Sequence, residues 1–423
     1  MSIESGGEKE LTQQSVEEEL LIEEAPKTQL QIRLKKGEES RILSGHSWVF
    51  SNEIAQVIGE AQSGSLGRVF AASGVFLGVG FYNPHSLIAC RIFSRRPLPS
   101  VGTDFFYQKL SESLEYRKKL YPQRAPFYRL CFGESDGLPG LVIDRYGDVL
   151  VLQILSAGME KLLPEIAEAL KKLLNPSGIY LKNDHRSRFL EGLKAEEKIF
   201  FGAVPEKVTV DEFGLQFLTP IAGAQKTGFY FDQAENRVFL KPYFSEKTVL
   251  DLYCYSGAFG IAAAKAGAKS VMGFDSSESA IALARENAKL NQVSEVCVFE
   301  KGDAEERLNF LAENRLPTKP DMILLDPPSL VPSRKDLLRA QRAYVKLNSL
   351  AIRALPQRGL LATSTCSHHV TREIFMTILK EAAAKTKKSV RLLSLRGQAL
   401  DHPILLAMPE TEYLHFALLE IVD

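Results

Sequence analysis

The sequence predicts an α/β protein whose C-terminal half is a Rossmann-like, doubly wound sheet, preceded by a small β-barrel and a small α+β central domain. Three observations carry this. From about Val208, apolar runs such as "TVLDLY", "SVMGFD", "DMILLD" and "GLLATS" alternate with helix-length segments such as "SESAIALARENAKLN", the pattern of parallel strands joined by crossover helices. Leu30 to about Arg96 instead holds short alternating runs punctuated by Gly, Asn and Pro, which reads as a small barrel. Between them lie a helical segment "DFFYQKLSESLEYRKKLY", strand-like "YRLCFGESDGLPGLVIDRYGDVLVLQIL", amphipathic "MEKLLPEIAEALKKLLN" and strand-like "SGIYLKND", a β-β-helix-β pattern.

The expected boundaries are an acidic, disordered tail over 1–28, the barrel over 29–98, the central domain over 99–207 and the doubly wound domain over 208–423. The 423 residues exceed one ordinary domain. Hydrophobic content of 45% with 25% charged residues fits a soluble globular chain, and no run approaches the ~20 apolar residues that span a bilayer. The N-terminus lacks a basic region followed by an apolar core, so it does not read as a signal peptide, and a cytoplasmic location is expected. Five cysteines, Cys90, Cys131, Cys254, Cys297 and Cys366, show no CxxC, which argues against a disulfide framework or a zinc site. The 52 basic and 52 acidic residues balance, but residues 1–28 carry eight Glu and two Lys, which leaves 50 basic against 44 acidic residues elsewhere. That mild excess permits RNA binding without demanding it.

The first strand of the last domain, "VLDL", runs into a turn with Gly257 and Gly260 and then a helix. Small residues there let backbone approach a ligand at a helix N-terminus. The spacing is GxxG rather than GxGxxG, with Asp251 inside the strand, which disfavours a pyrophosphate. Asp275 closes the second strand, 18 residues after Gly257, where a carboxylate can accept from ribose hydroxyls. Asp303 follows the third strand, within reach of an adenine amine. Each acid alone reads as a cap or turn residue. In this order they suit an adenosyl cofactor without pyrophosphate, namely S-adenosyl-L-methionine, with Tyr253, Ser256, Ser276 and Ala304 as neighbouring contacts.

The fourth strand ends in Asp326-Pro327-Pro328, whose prolines stiffen the loop. Ser329 follows where an amine-modifying enzyme typically has an aromatic residue to stack the base. The fifth strand ends at Cys366, so an acid and a thiol close consecutive strands. A thiolate added at C6 of a pyrimidine turns C5 into a nucleophile able to take a sulfonium methyl. Asp326 is the partner expected at N3 of cytosine, and His368 and His369 are further candidates, with surface or capping roles open. Cys254 is the rival thiol; the other cysteines read as core. Arg339, Arg342 and Lys346, at i, i+3 and i+7 of a long helical segment, share one face, either solvated or set against phosphates.

Several segments together resemble the large-subunit ribosomal RNA cytosine-5 methyltransferase I family, S-adenosyl-L-methionine-dependent enzymes with an N-terminal PUA domain. They are "GHSWVFSNEI", "FGESDGLPGLVIDRYGD", "QKTGFYFDQAENR", "LDPPSL", "RAYVKLN", "STCS", "DHP" and "YLHFALLEI". The resemblance covers about residues 30–423. It implies a class I methyltransferase fold, 23S ribosomal RNA or its large-subunit precursor as partner, a homodimer, Thr227, Gly228 and Phe229 around the cofactor, and Cys366 as nucleophile. The PUA and central domains would hold RNA by that analogy. Ala234 departs from the family's "DQRENR". Methylation of guanine N7 or an exocyclic amine, and a non-catalytic RNA-binding assembly factor, are the alternative readings.

Overall fold

The structure is a computed structural model and describes residues 30–98, 100–122, 124–223, 227–313, 319–331 and 334–423. The acidic tail, and Gln225 and Lys226 of the quoted motif, lie outside the described residues. The chain clusters into two compact units that divide after Leu98.

In the first unit, β1 (Leu30–Leu34), β2 (Trp48–Val49), β3 (Ile54–Ile58), β4 (Ser65–Phe70), β5 (Phe76–Tyr82) and β6 (Cys90–Ser94) form a six-stranded sheet ordered β2-β6-β5-β4-β1-β3. Only β1 and β4 pair in parallel. Alternation sends Ile32, Val69, Leu77 and Ile92 into one core, as period-two patterning requires.

The second unit begins with helix α1 (Thr103–Leu120) and a five-stranded sheet of β7 (Phe127–Phe132), β8 (Leu141–Tyr146), β9 (Val149–Ile154), β10 (Gly178–Asn183) and β11 (Glu196–Gly202), ordered β11-β10-β9-β8-β7. Helix α2 (Leu163–Leu174) packs on α1 and buries Leu163, Ile166, Ala167 and Leu170 at helical spacing. The β-β-helix-β expectation is one strand short on each side of this helix. The long strand-like run holds three strands, the first two joined through a 3-10 turn at Gly133–Asp136 and the last two by a tight turn at Gly147 and Asp148. Strand β11 is an edge strand whose "EEKIFFG" leaves Ile199 and Phe201 exposed, so it lacks the apolar face by which strands are recognised.

The last part opens on an antiparallel hairpin of β12 (Lys207–Glu212) and β13 (Leu215–Pro220) that forms its own sheet, rather than on a βα unit. The seven-stranded sheet follows: β14 (Thr248–Leu252), β15 (Ser270–Asp275), β16 (Cys297–Lys301), β17 (Met322–Leu325), β18 (Leu360–Thr365), β19 (Val390–Arg396) and β20 (His415–Ile421), ordered β16-β15-β14-β17-β18-β20-β19. The first five strands are mutually parallel, while β20 runs antiparallel to both neighbours. Helices α3 (Ala234–Leu240), α4 (Ala258–Lys265), α5 (Glu278–Leu290), α6 (Ala304–Ala312), α7 (Leu337–Ala354) and α8 (Arg372–Thr386) accompany it. Two apolar cores share the strands, one through Val249, Val271, Phe299 and Leu324, the other through Leu250, Leu252, Ile323 and Leu361. Strands covered on both faces are why β17 and β18 read as continuous apolar text.

Candidate active site

The strand order reverses between β14 and β17, and a crevice outside the carboxyl ends of such strands is where ligands bind in open α/β sheets. All five parallel strands deliver an expected site residue to that edge. The loop 253–257 follows β14, Asp275 ends β15, Asp303 comes two residues after β16, Asp326 follows β17 and Cys366 follows β18.

The β14 loop is held under backbone tension. Tyr253 and Tyr255 have φ of 61° and 46° and Gly257 has φ of 77°, a left-handed region that side-chain-bearing residues seldom enter. At Gly257 a Cβ would come within 2.8 Å of the Phe299 ring, so only glycine fits. Asp251 is 2% exposed and accepts the Gly260 N–H at 2.9 Å, which ties β14 to the first turn of α4. Burial pushes its carboxyl up to about 7, against the pull of the Gly260 hydrogen bond, and the charges of Asp326 and Asp275 add to the rise. Asn287 of α5 holds the loop from below, donating to the Ser256 carbonyl at 3.1 Å.

The Asp275 carboxylate is aimed by backbone: Oδ2 accepts from Tyr255 N–H at 3.1 Å and Oδ1 from Ser277 N–H at 2.9 Å. It is partly exposed, and a carboxylate offers about four lone-pair positions, so capacity remains for hydroxyl donors. Ser276 beside it is exposed. Asp303 is exposed and caps α6 by accepting Glu306 N–H at 2.8 Å, with Ala304 buried behind it. A held carboxylate at the end of β15 with acceptor capacity to spare fits the ribose of S-adenosyl-L-methionine, while the absent Cβ of Gly257 serves packing against Phe299 and Ala284.

The segment 227–230 lies against this loop. Thr227 and Phe229 turn their side chains away from open space: Thr227 is 1% exposed and its hydroxyl donates to Asp144, while the Phe229 ring stacks on Phe217 at 5.2 Å. What they offer a ligand is backbone. The Gly228 carbonyl accepts from the Tyr255 hydroxyl at 3.2 Å, and the Tyr230 ring meets Tyr255 edge-on at 5.3 Å. Burial raises the Tyr230 phenol, and the nearby Tyr255, Asp232, Cys366 and Asp326 raise it further, so Tyr230 stands between the cofactor loop and the thiol.

On the other side of the switch point, Asp326 Oδ1 accepts from Gln233 Nε2 at 3.1 Å and from the Ser364 hydroxyl. Gln233 is itself fixed by Asn236, whose Nδ2 donates to Gln233 Oε1 at 2.7 Å, and Asn236 Oδ1 accepts from Arg396 Nε at 3.0 Å. Cys366 is partly exposed, whereas Cys90, Cys131, Cys254 and Cys297 are buried. Burial pushes the Cys90 and Cys297 thiols up to about 12 and also raises those of Cys131 and Cys254, so these four are poor nucleophiles. The rival thiol Cys254 is thereby placed as packing. Ser367 Oγ lies 3.0 Å from Ser329 Oγ and 2.9 Å from the Tyr344 hydroxyl, which joins the loop after β17 to the loop after β18. Exposed His368 packs on the Tyr413 ring at 5.2 Å, and the Tyr413 hydroxyl donates to Asp232 Oδ2 at 2.7 Å. His369 is exposed.

Arg339, Arg342 and Lys346 are exposed along α7 as expected, but Lys346 is paired with Glu305. Among the described residues no group of His, Cys, Asp and Glu could hold a metal ion, and no helix is long and apolar enough to cross a membrane. Sequence reasoning missed Gln233, Asn236, Tyr230, Asp232 and Tyr413. The signal available was "YFDQAENR", a run of polar residues that cannot be buried without mutual hydrogen bonds.

Residues 32–95 match the model of a PUA-like domain, and residues 244–406 match that of a methyltransferase domain. A curated relative from Aeromonas salmonicida, called ribosomal RNA large subunit methyltransferase I, is 39% identical over 386 residues, covering 90% of this chain and 97% of its own. One of the same name from Escherichia coli is 34% identical over 384 residues, covering 90% and 96%. A solved structure from Streptococcus mutans, classed as a SAM-dependent methyltransferase, superposes with a TM-score of 0.79 at 21% identity over 92% of this chain and 99% of that one. Another, classed as a methyltransferase and crystallised with SAH, gives 0.81 at 21% over 93% and 100%; likeness at that identity concerns the fold.

Proposed function

Since the chain belongs to the ribosomal RNA large subunit methyltransferase I family, and is thereby an S-adenosyl-L-methionine-dependent ribosomal RNA methyltransferase, we propose that it methylates C5 of a cytosine in 23S ribosomal RNA through a Cys366 adduct. The observation that carries this reading is the pairing of two adjacent strand ends. Asp326 is held by Gln233 and Ser364 after β17, and the one cysteine of the chain that is not buried stands two residues beyond Ser364 after β18.

When bound, S-adenosyl-L-methionine supplies an electrophilic methyl group on a sulfonium. The chain's own residues do the rest. The Cys366 thiolate adds to C6 of the cytosine, and the electron pair of the C5–C6 double bond becomes available at C5. Asp326, next to the ring, faces the N3 and N4 edge in its protonated form and gives its proton to N3, which neutralises the negative charge that the incoming thiolate builds on the ring. C5 takes the methyl group, loses its proton to a base, and the returning electron pair expels the thiolate. Asp275 would hold the ribose, the 253–257 loop and Gly228 backbone the rest of the cofactor, and Asp303 the adenine edge. Arg339 and Arg342 present two exposed charges to the RNA backbone, and Lys346 contributes less because Glu305 neutralises it. A cytoplasmic location goes with a ribosomal RNA partner.

The test is methyl transfer from radiolabelled S-adenosyl-L-methionine to unmodified ribosomal RNA, with the product nucleoside identified by mass. Wild type is expected to give 5-methylcytosine and Cys366→Ala nothing. Retained turnover in the variant, or a methylated guanine as product, overturns the covalent reading. Absent cofactor binding in the wild type would favour the assembly-factor alternative.

A further inference from the structure

Arg129 and Asp144 face each other across β7 and β8 of the five-stranded sheet, outside the sheet that carries the candidate site. Asp144 is fully buried and the Arg129 side chain is 12% exposed. Arg129 Nε lies 2.5 Å from Asp144 Oδ1 and a terminal guanidinium nitrogen 2.9 Å from Oδ2. A buried ion pair of this kind contributes little net stability compared with apolar packing. Its directionality is what distinguishes it: Asp144 spends it on Thr227, while the Arg129 guanidinium is held over the Phe132 ring at 5.7 Å, the ring on which His402 packs.

Asp144 Oδ2 also accepts the Thr227 hydroxyl. Two residues along β8, the Tyr146 hydroxyl donates to the Thr227 carbonyl at 3.1 Å and accepts Phe229 N–H at 2.8 Å. At Gly228, with φ of 126°, a Cβ would meet that hydroxyl at 3.0 Å. The central sheet therefore grips the segment 227–229 by side chain and backbone. On the opposite side, the Arg129 backbone N–H donates to Asp401 Oδ2 at 3.0 Å, and Asp401 Oδ1 lies 2.8 Å from His402 Nδ1. Arg117 of α1 donates to the Asp401 carbonyl at 2.8 Å. The His402 ring packs on Phe132 at 5.2 Å and lies 6.4 Å from Tyr413, the residue that carries His368 and Asp232 beside Cys366.

We propose that Arg129 and Asp144 are positioning residues that set both walls of the cleft from the central sheet: Thr227 on the cofactor side and the Asp401–His402 turn on the nucleophile side. The central domain is then part of the active-site frame, whatever RNA contacts it also makes. The proposal rests on the reading that residues 227–229 cover the cofactor.

The experiment separates cofactor affinity, by calorimetry with S-adenosyl-L-methionine alone, from kcat on ribosomal RNA. Thr227→Val removes only the hydroxyl donor and is expected to weaken cofactor binding about fivefold to tenfold, the scale of one hydrogen bond, with Thr227→Ser restoring it. Asp401→Asn is expected to lower kcat about tenfold with cofactor affinity within about twofold of wild type. Asp144→Asn should show both effects. If Thr227→Val and Asp401→Asn change only the melting temperature, the proposal is overturned, and these two milder variants decide the matter even if Asp144→Asn does not fold. Asp275→Ala is the control: if it too leaves cofactor affinity unchanged, the underlying assignment of the cofactor site fails, whereas a loss there with none at Thr227→Val sinks this proposal alone.

Discussion

The side-chain amide of Gln233 donates to Asp326 Oδ1 at 3.1 Å across 93 residues of sequence. It shares that oxygen with the Ser364 hydroxyl, so the carboxylate is oriented from two directions before any substrate arrives. Replacing the amide by an acid, Gln233→Glu, sets two carboxylates within hydrogen-bond range, and one of them will hold a proton. Methyl transfer is expected to fall by about 10²-fold, with S-adenosyl-L-methionine affinity little changed. Single-turnover kinetics beside calorimetry checks this; an equal loss in both would place Gln233 at the cofactor.

Alkylation should discriminate among the cysteines. Brief treatment of the native protein with iodoacetamide near pH 8 is expected to label Cys366 first, because the other four thiols are buried with raised proton affinity. Peptide mass spectrometry reads the order. Labelling of Cys254 ahead of Cys366 would contradict the burial on which the nucleophile assignment leans.

Asp251 makes stability depend on pH in a stated direction. Its folded carboxyl is raised from 3.8 to about 7, so the folded protein holds a proton that the unfolded chain has already released. The stabilising contribution is complete below the unfolded value and is lost as pH rises through the window from about 4 to 7, then stays flat. Asp251→Asn keeps an acceptor for Gly260 and removes this slope. Urea denaturation of the two proteins at pH 5 and pH 8 is expected to show the variant gaining on wild type by a few kcal/mol, about 1.4 per pH unit of window at most. A gap independent of pH would show that Asp251 is ionised throughout.

Arg339→Glu with Arg342→Glu should weaken RNA binding about uniformly across sequences and flatten its salt dependence, while Lys346→Glu alone has a smaller effect because that ammonium already faces Glu305. Filter binding over a series of salt concentrations reads both. An unchanged salt slope for the double variant would make this a solvated helix face.

How much of this the sequence announces depends on the range of the interaction. Strands β17 and β18 are buried on both faces, so their apolar runs declare a parallel sheet, and residues that end them fall at its edge by topology alone. Asp251, Asp275, Asp326 and Cys366 were therefore legible by position. The groups that orient them were not. Gln233 meets Asp326 93 residues away and Tyr413 meets Asp232 181 residues away, separations at which no local pattern survives. Thr227 and Phe229 flank Gly228, whose carbonyl meets the β14 loop, yet their side chains face inward, because segment position says nothing of which side turns toward packing. Glu305, 41 residues from Lys346, likewise alters a charge that helical spacing alone counted as available.

The parallel pairing of β14 with β15 and β17 sets Asp251, already raised by burial, close enough to Asp275 and Asp326 that their charges raise its proton affinity further. If the cleft takes a sulfonium as proposed, the arriving ligand relieves that mutual repulsion, and the methyl transfer abolishes the relief in the same step. The spent thioether carries one positive charge fewer than the molecule that entered. Turnover would then have a built-in direction: the site welcomes the charged donor and is electrostatically indifferent to its product, so emptying after reaction needs no separate moving part.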